Sequence, residues 1–424
     1  PGAAGGLQGA VEMCNNNGAC RKLSGGVMCP SYRATLNERD ATRGRANSLR
    51  LALSGQLGSD ALISDDMAET MKLCVSCKAC KRECPTGVDM ARMKVEVTAL
   101  RAAARGLSWH DRLIAYLPRY APYVASLAPV VRLRDTLPGL AWLSEKLTGF
   151  SRYRPLPQFQ QNWFKPDELP AKAGTKGSDK SPVLLFVDSF NRYFEPENLR
   201  AASRVLAAAG YDVFTPMPED GGQPLCCGRT FLSTGLIDKA RAEATRLVAA
   251  LAPCADAGIP IVGLEPSCTL ALRDEIPALL NSAAAKAVAS ASLTFEELLA
   301  RDKPPLPLTP STGKALLHGH CHQKAFDVVK PVEEVLGWID GLEVSTIDSS
   351  CCGMAGAFGY GADTYDVSMR MAEADLLPAI RNADKDTIII ADGTSCRCQI
   401  GDATARNAQH VAVLLDAYLE KNDG

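Results

Sequence analysis

This chain of 424 residues has no surplus of either charge. Its 46 lysines and arginines are matched by 48 acidic residues, giving a net charge of −2 and a pI of about 6.3. That balance leaves no basic footprint for nucleic acid. A long uninterrupted apolar run is missing as well. The most apolar stretch, LIAYLPRYAPYVASLAPVV, carries three prolines and an arginine and does not read as a membrane span. It reads as packed helix, with a membrane surface or a partner as the alternative. Nothing resembles a secretory signal, and neither a dinucleotide glycine fingerprint nor a flavin-domain pattern is present. The chain opens on Pro1 rather than Met, so it reads as a processed or excised piece, or as a chain whose start is not included.

Cysteine is what the sequence has in excess. Sixteen are present, in a chain whose 46% hydrophobic and 22% charged content describes a globular protein. The length implies two to four domains. Disulfide frameworks belong to small secreted domains, so clustered cysteines here point to metal or redox chemistry.

Two clusters lie in the first quarter. CVSCKACKRECP spans residues 74–85, and CNNNGACRKLSGGVMCP, upstream at residues 14–30, is an incomplete counterpart. In two-cluster ferredoxins three closely spaced cysteines hold one iron–sulfur cluster, and the cysteine before the proline reaches across to the other. On that pattern Cys74, Cys77, Cys80 and Cys29 hold a 4Fe–4S cluster. The reciprocal site takes Cys14, Cys20 and Cys84, with Asn17 where a fourth cysteine would fall. Three cysteines there allow a 3Fe–4S cluster, a 4Fe–4S cluster with a foreign ligand, or nothing. The alternatives are a single cluster bound locally by Cys74, Cys77, Cys80 and Cys84, or a zinc site. Helical periodicity is expected in TRGRANSLRLALSGQ, capped by Thr42, and in MARMKVEVTALRAAARG.

The second half of the chain repeats itself. LLFVDSFNRYF (184–194) aligns with LLHGHCHQKAF (316–326), PLCCGRT with SSCCGMA, and EPSCTL with GTSCRC. Each copy reads strand, helix, strand, Cys-Cys-Gly, helix, strand, helix, the pattern of parallel α/β units. The expected architecture is an α-helical ferredoxin-like domain (1–107), a helical and extended linker (108–180), and two Cys-Cys-Gly α/β repeats with parallel sheets (181–303 and 304–424). Thiolates at a helix start are stabilised by its free N–H groups, and Gly228 and Gly353 allow a sharp turn. The second repeat offers Cys321, Cys351, Cys352, Cys396 and Cys398. The first offers Cys226, Cys227 and Cys268, with Ser189 and Leu270 at the positions of Cys321 and Cys398. If metal binds this pair, it binds the second repeat. The bland readings are buried cysteines packing as small apolar groups, or a vicinal disulfide. His318, His320 and His322 stand beside Cys321. If the strand continues, His320 and His322 share a face and converge on a ligand. Cys254, alone in a helix, reads as core.

These motifs together resemble the iron–sulfur subunits and domains that serve flavin-linked dehydrogenases. The duplicated Cys-Cys-Gly unit is similar to that of the heterodisulfide reductase B subunit, the glycolate oxidase iron–sulfur subunit and the anaerobic glycerol-3-phosphate dehydrogenase C subunit. The form EMCNNNGACRK…GGVMCPSYRAT…TRGRANSLRLAL looks like the C-terminal half of fused FAD-linked D-2-hydroxyacid dehydrogenases, the D-lactate and D-2-hydroxyglutarate types. That resemblance implies 4Fe–4S clusters in this chain, and FAD on upstream sequence or a separate subunit. It implies an electron-transfer module that serves a quinone or carrier protein, cytoplasmic or peripheral on the cytoplasmic face of the membrane. The C-x-C spacing of Cys396 and Cys398 departs from the C-x-x-C of heterodisulfide reductase. Two other functions fit the motifs: a catalytic reductase whose second-repeat cluster binds substrate, and a non-redox scaffold.

Overall fold

The computed structural model describes residues 5–172, 180–216, 218 and 221–420. The glycine- and lysine-rich end of the expected linker, GTKGSD at 174–179, lies outside them.

The N-terminal region is helical. Pro30–Thr35, Thr42–Leu53, Asp65–Lys72, Ala79–Glu83 and Met90–Arg105 are its main helices. Both sequence periodicities are realised, but Thr42 is not a cap. It is the first helical residue, and no side chain caps that helix. Its hydroxyl instead lies 3.0 Å from Cys29 Sγ. The second helix is capped by Asp89, whose side chain accepts from Arg92 N, and it ends at Gly106.

The proline-punctuated stretch folds as four short helices, Trp109–Ala115, Leu117–Ser126, Ala128–Thr136 and Leu140–Thr148. Prolines at the start of two of them leave no intrahelical hydrogen bond missing. Ala121, Ala125 and Ala128 pack on Phe159, Tyr193 and Phe194, so the apolar stretch is partly ordinary helix packing. No described helix is long and apolar enough to cross a membrane.

The duplication is exact in topology. β1 (Ser181–Phe186), β2 (Tyr211–Phe214), β3 (Ile261–Gly263) and β4 (Ser292–Thr294) form a parallel sheet of order β2-β1-β3-β4. β5 (Lys314–Leu317), β6 (Glu343–Thr346), β7 (Ile388–Ile390) and β8 (Ala408–Gln409) form another, of order β6-β5-β7-β8. Six strands coincide with the six sequence runs. β4 and β8 are additions to the expected pattern. In a parallel sheet the loops after the strands gather at the carboxyl edge, and that edge carries the cysteines. Strand residues Val183, Leu185, Val262, Ala315, Leu317 and Ile390 join one buried cluster shared by both repeats.

The repeats are stitched together at their cysteine helices. Glu265 accepts from Ser267 N in its own helix (Pro266–Arg273) and from Thr394 N, 2.9 Å away, in the matching helix Thr394–Thr404 of the other repeat. Arg397 ion-pairs with Glu195 across the same seam.

Candidate metal centres

Loop conformation explains how the ferredoxin-type cysteines gather. Ser76 and Lys78 both have positive φ, 51° and 61°, which is uncommon for residues with a side chain. These turns fold residues 74–80 back on themselves. Glu83 then accepts from Val27 N at 2.7 Å and Met28 N at 3.0 Å, clamping the segment before Cys29 onto the 74–85 motif. Pro30 starts the helix for which Cys29 is the flanking residue.

Cys29, Cys77 and Cys80 are buried and Cys74 is half-buried. Burial pushes the Cys29 thiol up to about 11, with Arg45 and the Thr42 hydroxyl opposing and Cys20 and Cys74 adding to the rise. Burial raises Cys80 well above its ordinary value, and neighbouring Cys29 and Cys74 push the same way. Cys77 is raised by burial, then by Cys321, Cys80 and Cys29. Such a group of thiols ionises only with a strong cation among them, because burial and mutual repulsion both oppose charge. The donor set suits an iron–sulfur cluster on chemical grounds: thiols near enough to oppose one another's ionisation, with cationic support. Arg45, 1% exposed, bonds Ser31 Oγ and Thr70 O nearby. Lys94 Nζ donates to the Cys74 carbonyl at 2.5 Å.

Of the reciprocal residues, Cys20 neighbours Cys29, whereas Cys84 lies beside Asn17. Cys14 and Cys20 are buried neighbours, and Cys20 Sγ accepts from Arg43 N at 3.4 Å. Cys84 is subject to burial, but hydrogen bonds from Thr86, the Val88 amide and Asn17 outweigh it and lower its pKa. Asn17 therefore stands at Cys84, in the place of the missing cysteine.

In the second repeat, β5 stops at Leu317 and a short helix, Cys321–Phe326, begins after His320. The strand reading of the histidines is corrected here. His320 caps that helix, its Nδ1 accepting from His322 N at 3.2 Å. Its ring lies where a Cβ on Gly393 would come within 2.5 Å of it, so only glycine fits there. The Nε2 of His322 lies 3.2 Å from Ser76 O. The histidine that faces the thiols is His318, whose ligand nitrogen lies within 4.8 Å of the sulfurs of Cys352 and Cys396. The sequence offered a weak signal for it, a histidine one residue past a strand at the carboxyl edge.

Cys321, Cys351, Cys352 and Cys396 are buried together, near enough to shift one another's ionisation. Cys351 lowers both of its partners: Cys321 is pulled down to about 6 and Cys352 well below its ordinary value, while Cys351 and Cys396 are pushed up. Four buried thiols beside an imidazole are a donor set suited to a cationic metal group. Cys321 and Cys396 are carried by the first turns of their helices, Cys321–Phe326 and Thr394–Thr404. Cys351 and Cys352 do not precede a helix directly; the next is the short turn Phe358–Tyr360. That differs from the first repeat, where Gly228 does start one, Arg229–Ser233. Cys398 faces away from the group, hydrogen-bonded to Tyr360. Gly353 has φ +81° and a Cβ there would meet Ser368 O at 2.2 Å, whereas one at Gly228 would lie 3.2 Å from Ala240 O. Gly353→Ala is therefore expected to destabilise the chain by more than about 1 kcal/mol and by more than Gly228→Ala, measured by denaturant unfolding.

The first-repeat cysteines also come together. Cys227 Sγ and Cys268 Sγ are 3.2 Å apart, but they sit in a separate buried cluster with Cys226. Ser189 begins a helix, Leu270 is wholly buried, and Cys254 is partly buried in the helix Ile237–Asp256. Among the described residues every cysteine is free.

A helical region of paired cysteine motifs, followed by two parallel α/β units with cysteines at their carboxyl edges, defines an iron–sulfur module. Residues 10–88 match the 4Fe-4S dicluster domain family and residues 316–401 the cysteine-rich domain family, and 4Fe–4S clusters are the cofactors these domains indicate. The chain is 26% identical to D-2-hydroxyglutarate dehydrogenase of Pseudomonas putida, over 96% of its own length and 43% of that protein. It is 28% identical to the C subunit of the anaerobic glycerol-3-phosphate dehydrogenase of Escherichia coli, over 68% of this chain and 72% of that one. With the glycolate oxidase iron-sulfur subunit of E. coli it shares 24% identity over 97% and 95% of the two chains. The chain thus spans less than half the length of the hydroxyglutarate dehydrogenase it matches.

Proposed function

We propose that this chain is the electron-transfer part of a flavin-linked D-2-hydroxyacid dehydrogenase. Its electron source is an FAD-binding dehydrogenase domain, on the same polypeptide or a separate subunit. Its acceptor is a quinone or an electron-carrier protein. Cys29, Cys74, Cys77 and Cys80 hold one 4Fe–4S cluster; Cys14, Cys20 and Cys84 provide a second, incomplete site. Cys321, Cys351, Cys352 and Cys396 hold the metal group of the second repeat. The functional division follows the boundaries near residues 107, 180 and 303.

One observation carries this reading: the cysteines of the helical region and of the second repeat belong to a single continuous buried cluster. Cys321 is close enough to Cys77 to oppose its ionisation. The contact is fastened by His322 Nε2 at Ser76 O and by Ser350 Oγ, which donates to Val27 O at 2.6 Å. Clusters bound at these places would supply one-electron chemistry. The chain's own part is to fix their spacing, keep water out and neutralise charge through Arg45 and Lys94. The working location is cytoplasmic, peripheral at the cytoplasmic face of the membrane where a quinone is the acceptor. Exposed apolar side chains of the 109–148 helices, including Trp109, Leu127, Trp142 and Leu147, support such a surface role.

The anaerobically purified chain, pre-reduced chemically, is expected to reduce a quinone analogue. It is not expected to oxidise D-lactate or D-2-hydroxyglutarate unless a flavoprotein is added. Sustained hydroxy-acid oxidation by the pure chain would overturn this reading.

A further inference from the structure

The two repeats share one topology but differ in the residue at the carboxyl end of the first strand. His318 occupies that position in the second repeat, and Phe186, at the end of β1, occupies it in the first. Both are buried. Phe186 packs among apolar side chains with Cys226, Cys227 and Cys268. His318 brings a nitrogen to the same edge.

The imidazole is held from both ends of its residue. Its backbone N–H donates to Ile390 O at 2.8 Å, continuing the β5–β7 ladder by one residue. Its Nδ1 lies 2.9 Å from Ser349 Oγ. Ser349 is fixed in turn by Lys324, whose Nζ donates to the Ser349 carbonyl at 2.5 Å and approaches Oγ at 3.3 Å. The remaining ring nitrogen, Nε2, is buried with no hydrogen-bond partner, and His318 has 0% exposure. With the proton on Nδ1, where Ser349 Oγ can accept it, the imidazole keeps a lone pair for the thiols of Cys352 and Cys396, whose sulfurs lie within 4.8 Å of a ring nitrogen. Metal-bound histidines characteristically donate their other ring N–H in this way.

We propose that His318 Nε2 is a nitrogen ligand of the metal group held by the second repeat, making that centre a mixed imidazole–thiolate site. The inference rests on the reading that the second repeat holds metal. An imidazole brings no negative charge where a thiolate would, and replacing thiolate by histidine raises an iron–sulfur potential. The second-repeat centre is thereby poised above the all-cysteine centre at Cys29, Cys74, Cys77 and Cys80. The first repeat, with Phe186, cannot make such a site.

The test uses the anaerobically purified full chain, labelled with 15N-histidine, as wild type, His318→Cys, His318→Phe and Cys352→Ala. Iron content, pulsed EPR nitrogen couplings and midpoint potentials are read together, with the ferredoxin-type signal as the control for folding. The expected result is a strong histidine nitrogen coupling in the wild type that is lost in both His318 variants. In His318→Cys iron is retained and the second-repeat potential shifts downward. A strong coupling that survives in His318→Cys overturns the assignment. So does a wild type that loses iron on Cys352→Ala yet shows no strong histidine coupling; in that case the electron-transfer reading stands and only the imidazole ligand falls. Iron unchanged by Cys352→Ala overturns both.

Discussion

Replacing Cys29 with alanine is expected to remove one 4Fe–4S cluster, about four iron atoms per chain, with its visible absorbance and reduced-state EPR signal. Cys84→Ala is expected to leave that cluster in place. The reason is spatial. Cys29 has Cys74 and Cys20 as its cysteine neighbours, and Cys80 has Cys29 and Cys74. Cys84 is instead occupied with Thr86, Val88 and Asn17. Sequence proximity favours a local set of Cys74, Cys77, Cys80 and Cys84, so the two variants separate the assignments cleanly. Survival of the cluster in Cys29→Ala together with its loss in Cys84→Ala would establish the local set.

The next largest effect is expected at Asp274, far in sequence from the ferredoxin-type cysteines it lies beside. Lys78, which lies between two ferredoxin-type cysteines, reaches Asp274 Oδ2 at 2.8 Å and Glu275 Oε2 at 2.5 Å. Lys81 and Arg92 converge on the other oxygen of Asp274. The Lys78 and Asp274 side chains are each only 5% exposed, so the pair is internal, joining the helical region to the first α/β repeat. Removing one member leaves the other buried and under-compensated, at a cost of about 3–5 kcal/mol. Asp274→Ala is therefore expected to lower unfolding stability by that amount. Asp65→Ala, whose carboxylate is 79% exposed in its pairs with Arg101 and Arg105, should leave unfolding stability nearly unchanged. Burial alone would raise the Asp274 pKa, but Lys78, Lys81 and Arg92 outweigh it and hold the carboxyl well below the usual range. A depressed folded-state pKa contributes stability that is fully present above the unfolded value of about 4. That contribution is lost as the pH falls through and below that value. Wild type and Asp274→Ala should accordingly converge in stability on acidification. Equal stability of the two at neutral pH would show that the cluster of charges contributes nothing net.

Much of the fold was legible because its signals are local. The runs LLF, YDVF, PIVG, ALL, EVST and III each became a strand, and the repeated cysteine landmarks predicted two units of one topology. β4 and β8 escaped because three- and two-residue strands, Ser292–Thr294 and Ala408–Gln409, carry no alternation to read. Thr42 escaped for a different reason. A threonine before a helical run is read as a cap, and only the tertiary approach of Cys29 redirects its hydroxyl to sulfur. The shared face of His320 and His322 depended on the strand continuing; β5 ends at Leu317, a helix begins at Cys321, and His318 is the histidine placed near Cys352 and Cys396. The part of Glu265 that joins the repeats gave no local signal, because Thr394 N lies in the other repeat.

The central claim, that the helical region and the second repeat form one electron path, is tested most directly by EPR of the fully reduced, anaerobically purified chain. Cys352→Ala and Cys227→Ala are measured beside the wild type. The predicted wild-type spectrum shows magnetic interaction between two neighbouring centres. In Cys352→Ala it should collapse to the signal of one isolated 4Fe–4S cluster, with less iron per chain, while Cys227→Ala leaves it unchanged. A wild-type spectrum already that of an isolated cluster, with iron lost only in Cys227→Ala, would contradict the account and place the working centre in the first repeat.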